Sequence, residues 1–188
     1  TFASHPLGFA FRRQIGSIIG WSVGLVVLGV AFGSLGGDIE TFLVDNPQLS
    51  DYLAAGDVSL LESYVGLVLL IMALTTTGFA IQSALRCSVE EQEGRAEPVL
   101  ATALSRPAWM SSYLTTSMSG SLLIMLCGGL ALGLTAAIDQ GDLSLLGRTL
   151  GAAFGFTLVV WFVIGLTALL FGVAPALLFV PWLVLVYG

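Results

Sequence analysis

The chain has 188 residues, of which 56% are hydrophobic and 10% are charged. An ordinary soluble domain carries about a quarter charged residues, so this composition excludes a typical soluble protein. The formal charge is −6, and lysine is absent, which excludes a GxxxxGK phosphate loop because that loop uses its lysine to reach the nucleotide phosphates.

Four stretches of the chain carry no charged residue: residues 14–37, 63–85, 107–138 and 149–188. Each is long enough to cross a bilayer, since about 20 apolar helical residues span the hydrocarbon core. The sequence therefore predicts an all-α polytopic membrane protein, with residues 1–188 as a single transmembrane domain.

The predicted membrane spans cover residues 15–37, 63–85, 112–138 and 149–171. Gly172 and Pro175 break the last stretch, so a fifth helix is predicted over 176–188. At the helical rise of about 1.5 Å per residue, that helix is too short to cross. We therefore expect the sequence to be part of a longer protein, with about five of six helices of a bundle present.

Glycines recur every four residues in the first span. This spacing predicts that one face of the helix carries small residues and packs closely against another helix. The glycines assigned to this packing are Gly16, Gly20, Gly24, Gly29 and Gly33.

The segment over 38–62 is rich in acidic residues and has no basic residue. Asn46 followed by Pro47 is typical of a helix start, and Gly56 of a helix stop, so a short surface helix is predicted over 47–55. Its apolar side chains would lie at the membrane interface, or the segment would be a solvated connector; the sequence leaves both open.

Arginine placement predicts the orientation, because cytoplasmic loops of membrane proteins are enriched in basic residues. Arg12 and Arg13 precede the first span, and the segment over 86–111 contains three arginines. The amino terminus and that segment are predicted to be cytoplasmic, and the acidic segment over 38–62 external. Arg148 is the one residue against this pattern.

The segment over 86–111 holds two predicted helix starts. Ser88 and Glu91 have the S-x-x-E spacing of a capping box. Pro98 starts a second short helix that ends before Pro107 and has an apolar face formed by Val99, Leu100 and Leu104. A short amphipathic helix is therefore predicted between two membrane spans.

The run EEQEGRAEPVLATALSR, residues 90–106, resembles the cytoplasmic loop of ABC-2-type export permeases. It is most similar to the actinobacterial group of polyketide-antibiotic or tetronasin-type exporters. Residues 7–20, 45–49 and 170–175 also fit that group. The resemblance implies one six-helix half of a permease, the carboxy-terminal one, in the bacterial plasma membrane.

In that family the short helix is a coupling helix that docks on a separate ATPase subunit. The resemblance implies a dimer of ATPase subunits and a second permease half as partners, with ATP and Mg on the ATPase and no cofactor in this chain. Gln92 and Val99 depart from the commonest family pattern without removing the helix. The coupling residues implied are Glu90, Glu91, Glu93, Gly94, Arg95, Glu97, Pro98, Val99, Leu100, Leu104 and Arg106.

Other classes of function fit less well. A solvated connector would not require two helix-start signals in one loop. A secondary transporter usually needs ionisable groups inside its spans, and the uncharged stretches have none. His5 is the single histidine, and Cys87 and Cys127 lack metal-ligand spacing, so neither a catalytic constellation nor a metal site is predicted. Nothing in the chain predicts a nucleic-acid partner.

The expected activity is export of hydrophobic or amphipathic compounds, such as antibiotics, by alternating access driven by the partner ATPase. An uncharged pathway suits such compounds because it offers nothing to replace the hydration of ions or sugars. Polar residues of the second and third spans are the candidate pathway, although they are equally suited to bonding between helices. They are Thr75, Thr76, Thr77, Gln82, Ser117, Ser119 and Ser121.

Overall fold

Five helices make up most of the part of the chain that the structure, a computed structural model, describes: residues 6–35, 60–92, 106–173 and 180–187. No strand occurs in these ranges, so the all-α fold class predicted from the sequence is confirmed. In chain order the helices are α1 (Pro6–Gly33), α2 (Leu60–Gln92), α3 (Arg106–Gln140), α4 (Ser144–Val173) and α5 (Val180–Tyr187).

The first four helices each contain a segment long and apolar enough to cross a membrane, and the fold is that of a polytopic helical membrane protein. The segments are Phe11–Gly33, Leu61–Arg86, Ala108–Gln140 and Ser144–Leu170. The described part of α5 has 8 residues and is not among these four segments. Each of these four helices begins before its uncharged stretch, because a charged residue is excluded from the hydrocarbon core but is compatible with a helix at the membrane surface.

α3 lies at the centre of the bundle. α1 packs mainly against α3, and α4 packs against both α3 and α2. The core between them is formed by large apolar side chains that are less than about 2% exposed, among them Leu25, Leu69, Met72, Phe79, Ile124, Met125, Leu132 and Ile164. The outer face of α1 is exposed, as expected of a helix that faces lipid or a further helix.

The carboxyl half of α1 approaches the backbone of α3 closely. A Cβ atom built on Gly29 would lie 2.7 Å from the Gly128 carbonyl oxygen and 2.9 Å from the Leu132 nitrogen. One built on Gly33 would meet the Thr135 side chain and the Leu132 carbonyl oxygen. Only glycine fits at these two positions without moving one helix away from the other.

Gly16, Gly20 and Gly24 do not share this face. Nothing among the described residues lies within 4 Å of a Cβ atom built on any of the three. The step from Gly24 to Gly29 is five residues, and at about 100° per residue it turns the second glycine run to nearly the opposite side of the helix. The two glycine runs therefore do not form one continuous face, and packing of Gly16, Gly20 and Gly24 against a further helix stays a prediction.

A tight turn joins α3 to α4. Gly141 has φ of 67°, a left-handed conformation that glycine adopts without strain. The Asp142 carboxylate accepts hydrogen bonds from the Ser144 backbone N–H at 2.9 Å and from the Ser144 hydroxyl at 2.8 Å. These bonds hold the pKa of Asp142 below its ordinary value and cap the start of α4.

Candidate functional site

The predicted coupling residues fall at the junction between α2 and α3. Glu90 and Glu91 belong to the last turn of α2, and Arg106 is the first residue of α3. The remaining members lie outside the described residues, as does the external helix predicted over 47–55. They are Glu93, Gly94, Arg95, Glu97, Pro98, Val99, Leu100 and Leu104.

The capping box predicted at Ser88 and Glu91 was wrong, because α2 runs without interruption from Leu60 to Gln92. No glycine or proline stands between Gly78 and Gln92, so nothing stops the helix where the charged residues begin. The consequence is that Glu90 is attached to the membrane span through continuous helix rather than through a hinge.

An ion pair joins the amino end of α1 to the carboxyl end of α2. The Arg13 guanidinium lies 3.3 Å from Glu90 Oε1 and donates a 3.4 Å hydrogen bond to Oε2. The Arg13 side chain is 40% exposed and that of Glu90 13%. A pair this open to solvent stabilises the fold by only about 0–1 kcal/mol, so it shows that the two helix ends lie side by side but contributes little to the stability of the bundle.

A buried polar contact lies next to this ion pair. The Ser83 hydroxyl donates to Gln14 Oε1, and Gln14 is fully buried. Gln14 Nε2 has no hydrogen-bond partner among the described residues. Burying an amide side chain costs free energy unless it is hydrogen-bonded. The bond from Ser83 satisfies the amide oxygen of Gln14 and joins α1 to α2.

A cavity of about 390 Å³ opens at the same end of the bundle, between α1, α2 and α5. We call it the basic cavity. Its lining residues are Arg13, Gln82, Leu85, Arg86, Val89, Glu90 and Trp182. It therefore contains one of the predicted pathway residues, Gln82, together with the first predicted coupling residue, Glu90.

An open groove of about 440 Å³ runs along the bundle beside α1. Among the described residues, Thr75 lines the groove from α2, and Ser17 and Trp21 contribute polar groups from α1. Gly20 and Gly24 form part of its floor, so the glycines that do not pack against a described helix line a surface groove instead. The groove and the basic cavity each hold one predicted pathway residue.

The other predicted pathway residues face different surroundings. Thr76, Thr77, Ser117 and Ser121 are buried, and none of the four lines the groove or the basic cavity. The Thr76 and Thr77 hydroxyls donate to carbonyls one turn earlier in α2, each at 2.8 Å. Ser117 donates to the Ala80 carbonyl of α2 at 3.1 Å, which is the helix-to-helix bonding that the sequence left open.

Ser119 is exposed on α3 and donates to the Thr115 carbonyl at 2.8 Å. It lines neither the groove nor the basic cavity. Its role in a pathway stays a prediction, as do those of Thr75 and Gln82.

The opposite end of the bundle holds a second cavity that the sequence did not predict. It measures about 220 Å³, lies between α2 and α4, and has a largely apolar wall that includes Leu69 and Leu145. Glu62 and Arg148 also line this cavity and form an ion pair with each other. Arg148, the exception to the arginine pattern, thus has an acidic partner on the same side.

A sequence signal for this pair existed: Glu62 and Arg148 each stand at the start of a long apolar stretch on the same predicted side of the membrane. The two residues are 86 positions apart, and their pairing could not be predicted because it depends on α2 and α4 being neighbours.

The chain matches a known protein family over almost its whole length. The sequence model of the family described as "Multidrug efflux system permease Rv1217c, C-terminal domain" matches residues 4–188. The chain belongs to this family. The Multidrug efflux system permease protein Rv1217c of Mycobacterium tuberculosis (strain ATCC 25618 / H37Rv) is 34% identical over 186 residues. The alignment covers 97% of the chain and 34% of that relative, so the chain spans about a third of the relative's length.

The Rv1217c C-terminal domain family match includes both ends of the bundle. The ion pair of Arg13 and Glu90, the basic cavity and the second cavity between α2 and α4 all fall inside residues 4–188. The ABC-type permease predicted from the loop over 90–106 agrees with this family, whereas the narrower assignment to polyketide-antibiotic exporters goes beyond it.

Proposed function

We propose that the chain is the transmembrane permease part of an ABC exporter that moves hydrophobic or amphipathic drugs out of a bacterial cell. The family match over residues 4–188 carries this proposal, together with the relative named as a multidrug efflux permease. By the similarity of the loop over 90–106, we place it nearest the polyketide-antibiotic exporters. It would work in the plasma membrane, with its amino terminus in the cytoplasm, beside a second permease half.

ATP would bind to a separate dimer of ATPase subunits. The missing lysine supports this division, because the chain has no phosphate loop of its own. The segment after Gln92 would dock on the ATPase, with Glu90 and Glu91 making polar contacts from the last turn of α2. Closure of the ATPase dimer would move this segment, and alternating access would follow as α2 and α3 tilt.

The character of the spans supports a hydrophobic or amphipathic substrate. Every charged residue within the four candidate spans lies near a span end. The middle of the described bundle therefore offers no charge to bind a driving ion, which also argues against a secondary transporter. Thr75 in the groove and Gln82 in the basic cavity are the pathway residues best placed to meet a substrate.

Charge reversal at the end of α2 tests the coupling. Changing Glu90 and Glu91 together to lysine should lower export, and the substrate-stimulated ATPase rate, by about tenfold or more, because like charges across an interface cost several kcal/mol. Ala101→Pro should act similarly by removing a backbone donor from the predicted coupling helix. Export assayed in inverted vesicles, with membrane insertion checked separately, gives the measurement.

The ion pair with Arg13 supplies matched controls. Arg13→Gln breaks the pair without reversing the charges at the end of α2, so it should leave most export intact. Adding Arg13→Glu to the double lysine variant restores an ion pair with residue 90 but not the charges facing the ATPase, and export should remain low. Recovery of export in that triple variant would mean that the pair within the chain, rather than docking, explains the loss.

The orientation is tested by labelling. A cysteine placed at Asp51 should react with an impermeant thiol reagent from outside intact cells, and one at Glu93 should not. The reverse pattern would contradict the proposed topology, and export that continues without any ATPase subunit would favour the secondary transporter.

A further inference from the structure

We propose that the basic cavity binds the phosphate headgroup of an anionic phospholipid. The cavity lies where the amino end of α1, the carboxyl end of α2 and α5 meet. Its volume of about 390 Å³ is within the range of about 300–1,000 Å³ that small-molecule sites occupy. It is therefore large enough for a phosphate together with the glycerol that follows it.

The charged side chains of the cavity favour an anion. Arg13 and Arg86 contribute two positive charges to its lining, and Glu90 contributes one negative charge that is paired with Arg13. Arg86 donates to the Arg13 backbone carbonyl at 3.5 Å, at the long limit of a hydrogen bond. Because a guanidinium has five donors in a fork that matches phosphate, Arg86 is suited to hold a phosphate oxygen pair.

The apolar side chains favour a lipid over a free anion. Arg86 is the last residue of the apolar segment Leu61–Arg86, so its guanidinium stands at the level where a span leaves the hydrocarbon. Trp182, 41% exposed, and Val89, 46% exposed, line the same cavity. Tryptophan is enriched at membrane interfaces, and basic cavities between membrane helices bind anionic headgroups. The acyl chains would leave the cavity along these apolar side chains.

Binding measured by native mass spectrometry on the purified protein tests this assignment. The probes are phosphatidylglycerol, phosphatidylcholine with the same chains, and inorganic phosphate. Phosphatidylglycerol should bind at least several-fold more tightly than phosphatidylcholine, and millimolar inorganic phosphate should not displace it. Equal binding of the two lipids would overturn the proposal, and displacement by inorganic phosphate would show a site for a free anion instead.

Arg86→Gln should weaken phosphatidylglycerol binding by about tenfold, the loss expected for one good phosphate contact. Arg86→Lys keeps the charge but not the fork and should lose less. Arg12→Gln is the matched control, because Arg12 is exposed and does not line the cavity. Equal losses in Arg86→Gln and Arg12→Gln would mean that the basic cavity is not the site.

A second measurement does not depend on the Arg86 variants inserting normally. Phosphatidylglycerol with brominated chains should quench the fluorescence of Trp182, seen as the difference between the parent protein and Trp182→Phe. Brominated phosphatidylcholine at the same concentration should quench it less. Absence of a Trp182 component, or equal quenching by both lipids, would contradict the proposal.

Discussion

Gly29→Ala is expected to destabilise the bundle because the new methyl group would point at backbone rather than at a side chain. Its Cβ would lie 2.7 Å from the Gly128 carbonyl oxygen, and that distance has to rise above 3.0 Å, below which real Cβ atoms essentially never approach a neighbour. No rotamer change can relieve a clash with backbone, so α1 must move away from α3. Overpacking of this kind typically costs about 1–3 kcal/mol.

Gly20→Ala is the matched control in the same helix. Nothing among the described residues lies within 4 Å of its Cβ position, and alanine is favoured over glycine in a helix by about 1 kcal/mol. Both variants gain this helix propensity, so Gly29→Ala should be less stable than Gly20→Ala by the overpacking cost of about 1–3 kcal/mol in unfolding experiments on the detergent-solubilised chain. Equal shifts, or a stabilised Gly29→Ala, would refute the close approach of α1 and α3.

Two smaller changes test individual hydrogen bonds. Tyr64→Phe removes a 2.8 Å bond to the Phe32 carbonyl near the end of α1 and should cost about 0.5–1.5 kcal/mol in the same unfolding assay; no loss would mean that the carbonyl finds another donor. The lowered pKa of Asp142 means that its charged form is favoured in the folded state, so its contribution is complete above its ordinary value of 3.8 and is lost as the pH falls through the lowered pKa. The stability difference between the parent and Asp142→Asn should shrink over that acidic window, and a difference that stays constant there would contradict the cap.

The existence of the four long helices could be predicted because lipid leaves a spanning chain few alternatives to a helix. Where α2 ends could not be predicted from charge, since Glu90 is as compatible with a helix as with a loop. The glycine faces were predictable in part: counting about 100° per residue separates Gly20 from Gly29, whereas spacing by fours alone does not. Partner positions on α3, such as Gly128, depend on how the helices cross.

The candidate site was harder to predict than the helices. The sequence identified Glu90 as a functional residue but not its partner Arg13, which is 77 positions away. This pair forms only because the amino end of α1 and the carboxyl end of α2 lie at the same end of the bundle. The basic cavity depends in addition on the placement of Trp182 in α5, which no periodicity in the chain indicates.

The uninterrupted course of α2 has a mechanical consequence. At about 1.5 Å per residue, its 33 residues form a rod of about 50 Å, longer than the hydrocarbon core of about 30 Å. No proline interrupts the helix, and several of its fully buried side chains, among them Leu69, Met72 and Phe79, lie in its middle part. A displacement of Glu90 would therefore be carried along a continuous helix into the middle of α2, where its buried side chains pack against α3 and α4.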